Sequence, residues 1–314
     1  MSVVERAGGP PPAPTAGHAP APRPPRRRPA SRWLVPLAPA VVLLGVFFAG
    51  PVVWSVLLSF TDASLTGSAA RGTSFVGLDN VVTLVQDPAV WNAVVITVVF
   101  VVGSAVIGQN GLGLALALML RGRGTAVRSL VTLPVMAAYV VPEIVAAFVW
   151  YAFLNPEGTL NTALGGLGLP GQSWLFTVPV LAVVLANIWR GTAFSMLIYL
   201  AALSQVPADV DEQAQVDGAS GWTRLRYVTI PMIRRAIGTN LVLVTLQTLQ
   251  VFTLIFVMTA GGPGDKSETL PLLMYEQAFQ YAALGYGTAI ALVLLAIGAV
   301  FSLGYIRAIG KEEI

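Results

Sequence analysis

Six long apolar stretches constrain this chain more than any other feature of its sequence. Each holds the roughly 20 apolar residues that an α-helix needs to cross a bilayer. The composition agrees, because 55% of the residues are hydrophobic, only 11% are charged and the mean hydropathy is +0.75. We therefore predict an all-α integral membrane domain over residues 33–310. Its six predicted spans run from Trp33 to Phe60, Val90 to Leu120, Leu130 to Leu154, Phe176 to Leu203, Ala236 to Thr259 and Tyr286 to Ile306.

The positive charges between the spans predict which side of the membrane each connection faces. The second and fourth connections and the C-terminal end are rich in basic residues, whereas the first, third and fifth connections contain only Arg71 and Lys266. By the positive-inside rule, both termini and the fourth connection lie in the cytoplasm.

Residues 1–32, rich in proline and arginine, are expected to be a disordered cytoplasmic tail, and residues 311–314 a short cytoplasmic end. Basic residues placed beside spans give no reason to expect nucleic-acid binding.

The fourth connection contains a polar stretch, PADVDEQAQVDGASGWTRLRYVTIP, from Pro207 to Pro231. Pro207 suits the first position of a helix, acidic residues fill the first turn, and Gly218 is a natural stop. The sequence therefore predicts one short helix that ends near Asp217. A second amphipathic helix follows and is expected to end at Pro231. Two short helices around a glycine turn form a compact surface knob that suits docking to a partner, although an ordinary interfacial linker is an alternative.

This stretch resembles the "EAA" signature of permease subunits of binding-protein-dependent ABC importers, with Gln213 in place of the usual second alanine. In that family the motif forms a coupling helix that sits in a cleft of the cytoplasmic ATPase. The resemblance implies a coupling loop over about residues 204–232. The matching residues are Glu212, Ala214, Asp217, Gly218, Ala219 and Pro231.

Three further segments resemble the sugar-type branch of this family: FVGLDN from Phe75, NPEGTLN from Asn155 and TAGGP from Thr259. TAGGP is either a plain helix stop or a contact with an extracellular binding protein. With PLLMYEQAF and the last span, it resembles the first of the two permease types of this branch. The resemblance implies the type I importer fold, a place in the bacterial inner membrane and a sugar or polyol as substrate. It also implies three partners besides membrane lipid: a different second permease, two ATPase subunits that hold ATP and Mg²⁺, and a binding protein.

Two charged residues lie inside predicted spans, Glu143 in the third and Arg190 in the fourth. Charges within a membrane are costly and therefore suggest function. The two residues lie at similar depth in antiparallel helices and are candidates for an ion pair. The alternative places Arg190 on a substrate path, because WRGT from Trp189 resembles a segment that lines the sugar in maltose-type permeases.

The fifth span carries Asn240, Gln247, Gln250 and Thr253 on one helical face. This face either lines water or forms hydrogen bonds between helices. By resemblance, Gln247 and Gln250 lie near the substrate. In the second span, small and polar residues such as Gly108, Asn110 and Gly113 indicate close packing of helices.

The chain has no cysteine, no glycine loop for ATP phosphates, no serine nucleophile turn and no histidine–acid cluster for a metal. The sequence therefore predicts no catalytic residue, no metal site and no cofactor bound by this chain. A proton-coupled secondary transporter is the alternative function, with Glu143 as proton carrier and Arg190 as its counter-charge. Such transporters commonly have duplicated halves, which are not evident here.

Overall fold

A computed structural model describes Gly9 and residues 31–310 of the 314 residues. The predicted tail therefore lies almost wholly outside the described residues, as does the predicted end at residues 311–314. The chain divides into two compact units, residues 1–51 and residues 52–314. In the described ranges the regular secondary structure is helical, and the β contact is an isolated bridge between Thr61 and Phe75.

The helices include four wide-turn (π) segments among the described residues, labelled separately here. In chain order they are α1 (Ser31–Leu44), π1 (Gly45–Ala49), α2 (Gly50–Leu58), α3 (Asp79–Gln86), α4 (Pro88–Phe100), π2 (Val101–Gln109), α5 (Asn110–Leu120), α6 (Thr125–Val140), α7 (Glu143–Leu154), α8 (Thr159–Gly166), α9 (Trp174–Thr177), α10 (Pro179–Leu203), α11 (Ala208–Val216), α12 (Gly221–Arg224), π3 (Leu225–Thr229), α13 (Ile230–Leu249), α14 (Thr253–Met258), α15 (Leu270–Tyr275), π4 (Glu276–Gln280) and α16 (Leu284–Gly310).

Four helices in residues 31–310 are long and apolar enough to cross a membrane: Leu37–Leu58, Pro88–Leu120, Pro179–Leu203 and Leu284–Arg307. A fifth span results if Thr125–Val140 and Glu143–Gly166, bent by 106°, are counted together. The predicted third span is therefore not straight. Val141 is extended (φ −58°, ψ 129°) because it precedes Pro142, which disfavours helical backbone at the residue before it.

The predicted fifth span is interrupted as well. Helix α13 ends at Leu249 and α14 begins at Thr253, so Ala236 to Thr259 is two helices rather than one. Broken helices at membrane depth are tolerated where the freed backbone is buried in protein or lines a cavity. In transporters such breaks typically mark the binding site.

The second and fourth spans pack closely through glycine. A Cβ added at Gly113 of α5 would lie 2.5 Å from Ser195 Cβ and 2.9 Å from the Met196 nitrogen of α10. A Cβ at Gly108 of π2 would collide with the Ile188 side chain. The predicted role of the small residues of the second span, close helix packing, is confirmed.

A buried polar cluster joins α5, α10 and α13. The Asn240 amide, fully buried, donates to Asn110 Oδ1 (2.6 Å) and Ser195 Oγ (2.9 Å), and the Tyr199 hydroxyl donates to Asn110 Oδ1 (2.5 Å). The polar face of the fifth span was expected either to line water or to form hydrogen bonds between helices. Asn240 forms hydrogen bonds between helices. Gln247 and Gln250 are exposed.

Contacts between connections define two ends of the second unit. Asp211 of α11 faces Arg121 of the second connection at 3.9 Å, so the second and fourth connections lie at one end. The Leu65 amide donates to the Ala282 carbonyl (2.9 Å), which brings the first and fifth connections together at the other end. There the amide of Asn92, near the start of α4, donates to the Asp265 carbonyl of the fifth connection (2.8 Å).

Glu268, between α14 and α15, is a buried acid with only 4% of its surface exposed. Burial raises the pKa of its carboxyl to about 8, helped by the negative charges of Glu276, Asp265 and Asp87 and by a hydrogen bond with Glu276. The ordinary pKa of a glutamate carboxyl is 4.5. Between pH 4.5 and about 8, the Glu268 carboxyl is therefore protonated in the folded chain and ionised in the unfolded chain.

We expect Glu268→Gln to stabilise the protein at alkaline pH. The folded-state pKa is raised, so stability falls as pH rises through the window from 4.5 to about 8. Glutamine removes this penalty, and the gain should exceed about 1 kcal/mol at high pH, since one pKa unit is worth about 1.4 kcal/mol. Thermal unfolding in detergent, measured at acid and alkaline pH, checks this. Glu157→Gln, at an exposed acid, is the control, and an equal gain at both pH values for Glu268→Gln would contradict the expectation.

Candidate functional site

The knob, residues 207–231, begins with helix α11. Asp217 caps the helix, and Gly218 follows with φ +81°, a left-handed backbone that favours glycine. The Ala219 amide donates to the Ala214 carbonyl (2.9 Å) and the Gly218 amide to the Gln215 carbonyl (3.0 Å). This pattern is a Schellman motif, in which a glycine turn satisfies the last carbonyls of a helix. The predicted end near Asp217 is confirmed, and the motif residues Ala214, Gly218 and Ala219 are the ones that build the turn.

The second half of the knob runs without interruption into the membrane domain. The Ser220 hydroxyl accepts the Thr223 amide (3.2 Å) and so caps α12, which continues through π3 into α13. The prediction that Pro231 ends this helix is wrong. Pro231 lies in the first turn of α13, directly after the wide turns of π3, where a missing amide hydrogen is tolerated.

The outer face of α11 is open. Glu212 and Asp217 are exposed, and Val216 is 88% exposed. These residues border a surface groove of about 490 Å³. The open face of α11 therefore presents one apolar side chain among acidic ones.

A second site lies where the broken helices meet. Glu143 is the first residue of α7, directly after the bend, and therefore does not lie within a straight span. Arg190 Nη1 of α10 lies 3.7 Å from Glu143 Oε2, and both side chains are about one quarter exposed. Glu143 Oε1 also accepts the Leu254 amide (3.1 Å) in the first turn of α14. One carboxylate thus links the bend in the third span, the fourth span and the break in the fifth.

Trp189 lies beside this pair, and its ring meets Trp150 edge-on at 6.1 Å. Gln250 is the C-terminal cap of α13, and it lines a cavity of about 310 Å³ with Phe252, Tyr275 and Phe279. The residues that the sequence analysis assigned to a substrate path therefore lie in two separate places. Trp189 and Arg190 lie on α10, and Gln247 and Gln250 lie at the end of α13.

Three buried residues of the fourth span, Asn187, Ser195 and Tyr199, were missed by the sequence analysis. The Asn187 amide donates to Ser104 Oγ (2.9 Å), and the Asn187 carbonyl accepts Gln109 Nε2 (3.2 Å). Tyr199 belongs to the polar cluster with Asn110 and Asn240. Asn187, Ser195 and Tyr199 are spaced by eight and four residues, one side of a helix, and this spacing could have revealed them.

Residues 109–309, which include the knob and both broken spans, match the family described as binding-protein-dependent transport system inner membrane component. The chain belongs to this family.

Relatives of this permease agree with the assignment over most of their length. The trehalose transport system permease protein SugA of Mycobacterium tuberculosis is 35% identical, over 87% of this chain and 87% of that protein. The sulfoquinovosyl glycerol transport system permease protein SmoG of Agrobacterium fabrum is 32% identical, over 88% and 90%. A chain from a bacterial alginate ABC transporter, solved with an alginate pentasaccharide-bound periplasmic protein, has the same fold with TM-score 0.74, 24% identity and coverage of 88% and 93%. The predicted all-α permease fold is therefore confirmed.

Proposed function

We propose that this permease carries a sugar or related polyol into the cell on energy from ATP hydrolysis in separate ATPase subunits. The proposal rests on the structure of the knob and on its connection to the membrane domain. An exposed helix is closed by a glycine turn at one end of the membrane domain and is continuous, through α12 and π3, with the 20-residue helix α13. Displacement of α11 is thereby passed to α13, the helix that Gln250 caps.

The proposed substrate path lies where the spans are broken. Trp189 and Arg190 on α10 offer an aromatic face and a guanidinium donor, which suit sugar rings and hydroxyl groups. Gln247 and Gln250 supply amides at the end of α13, and Gln250 lines a cavity with Phe252 and Tyr275, whose ring centroids are 5.0 Å apart. Glu143 holds Arg190 in position and caps α14.

The proposed assembly contains a different second permease subunit, two ATPase subunits and an extracellular binding protein. ATP and Mg²⁺ would be held by the ATPase subunits, and no cofactor by this chain. Both termini and the knob would face the cytoplasm, with the TAGGP turn outside. The periplasmic protein bound to the alginate transporter supports the last partner by analogy. Closure of the ATPases on ATP would favour an outward-facing state through differential binding to two conformations.

The test is to identify the energy source of uptake. The complete complex, reconstituted in vesicles with its binding protein and a panel of sugars, should take up its substrate only when ATP reaches the ATPase subunits. A proton gradient without ATP should drive no uptake. Uptake by the purified chain alone, driven by a proton gradient, would instead identify a secondary transporter centred on Glu143.

A further inference from the structure

The carboxylate of Asp211 links three helices at the base of the knob. Its Oδ2 lies 3.9 Å from Arg121 Nη2, and its Oδ1 lies 3.9 Å from Arg224 Nη1. Asp211 belongs to α11, Arg121 caps α5 at its C-terminal end, and Arg224 is the last residue of α12. One side chain therefore joins the knob helix both to the second span and to the next helix of the knob.

The three side chains are only 24–28% exposed, so water and salt screen this cluster less than an open surface pair. Arg224 Nε and Nη1 are buried and make no hydrogen bond among the described residues. Asp211 is thus the counter-charge on which the Arg224 guanidinium depends. Removal of Asp211 leaves the two partly buried guanidinium groups without this counter-charge, which costs more than the ion pairs themselves contribute.

We propose that Asp211 is a positioning residue that connects the knob to the second span. Helices α10 and α13 flank the knob along the chain, whereas α5 is reached through the Asp211–Arg121 pair. From Arg121, α5 leads back to Asn110 in the buried polar cluster and to the nine-residue wide-turn segment π2. Wide-turn segments are frequent at functional sites. Movement of α11 is therefore transmitted to the second span as well as to the fourth and fifth.

This inference rests on the proposed role of the knob in coupling. The experiment uses the complete reconstituted complex and measures uptake per ATP hydrolysed, basal ATPase activity and retention of the ATPase subunits. The variants are Arg121→Gln, Asp211→Asn and both together. Arg121 lies outside the knob, so its loss leaves the docking surface unchanged. Arg123→Gln removes an exposed arginine two residues away and is the matched control.

We expect Arg121→Gln and Asp211→Asn each to lower uptake per ATP by at least about fivefold, the lower end of typical coupling between sites. The ATPase subunits should stay bound, the double variant should be no worse than either single one, and Asp211→Glu should restore coupling. Amide hydrogen exchange in residues 208–216 should rise in both single variants and not in Arg123→Gln.

The inference is overturned if Arg121→Gln behaves like Arg123→Gln, or if Asp211→Asn releases the ATPase subunits. Substitution of Gly218 in the same assay separates this failure from failure of the proposed function. If Gly218 variants lose coupling while Arg121→Gln does not, the knob couples without Asp211. If neither has an effect, the coupling role of the knob is itself wrong.

Discussion

Replacement of Gly218 by valine is expected to abolish the stimulation of ATP hydrolysis by binding protein and sugar. Gly218 has φ +81°, and a β-branched residue is strained there by at least about 1–2 kcal/mol. The space around a Cβ at this position is open, so the strain lies in the backbone and not in a clash. Loss of the turn frees the end of α11, and uptake should fall about tenfold or more, since about 1.4 kcal/mol corresponds to a factor of ten.

Gly221→Val is the matched control for this variant. Gly221 also has open space around its Cβ position, but its backbone does not have the positive φ of Gly218. ATPase activity and sugar uptake are measured in parallel on the reconstituted complexes. Equal activity of Gly218→Val and Gly221→Val would show that the turn at Gly218 is not needed for coupling.

Glu143→Gln and Arg190→Gln are each expected to impair transport strongly, and the double variant to be no worse than either alone. Each single change leaves a partly buried charge without its partner, and Glu143→Gln also weakens the cap on the Leu254 amide. Fully buried pairs cost about 3–5 kcal/mol when broken. Because these side chains are about one quarter exposed, we expect about 1–3 kcal/mol and a coupling energy of at least about 0.5 kcal/mol.

Thermal unfolding and sugar affinity distinguish the two interpretations of this pair. A structural pair predicts that all three variants lose similar stability. If Arg190 instead contacts the substrate, Arg190→Gln weakens sugar affinity more than it lowers stability. Additive losses in the double variant would show that the two side chains act independently.

Local signals in the sequence predicted the knob best. Pro207, the acids of the first turn and Gly218 fix α11 through contacts within a few residues, so its end was predicted correctly. The bend in the third span was not predicted, because Leu130 to Leu154 was taken as one span, although Pro142 disfavours helical backbone at Val141 by the same kind of local rule. The proline signal failed at Pro231, because the wide turns of π3 allow the helix to continue.

The break in the fifth span could not be predicted from its own residues. No glycine or proline lies between Leu249 and Thr253. The start of α14 is instead satisfied by Glu143, more than one hundred residues away in sequence. The Asp211 cluster and the Asn110–Tyr199–Asn240 cluster likewise depend on tertiary packing, which a pattern within one helix does not contain.

Cross-linking from Val216 tests whether the knob docks on an ATPase subunit. The chain contains no cysteine, so Val216→Cys places a single thiol on the exposed face of α11. Phe75→Cys places a thiol at another exposed position, at the other end of the second unit, since Phe75 is 79% exposed. In the complete complex, a short thiol–amine cross-linker should join the Val216→Cys variant to an ATPase subunit, with a yield that changes when ATP binds, and should not join the Phe75→Cys variant. Absence of any cross-link from position 216 in an intact complex would contradict the account.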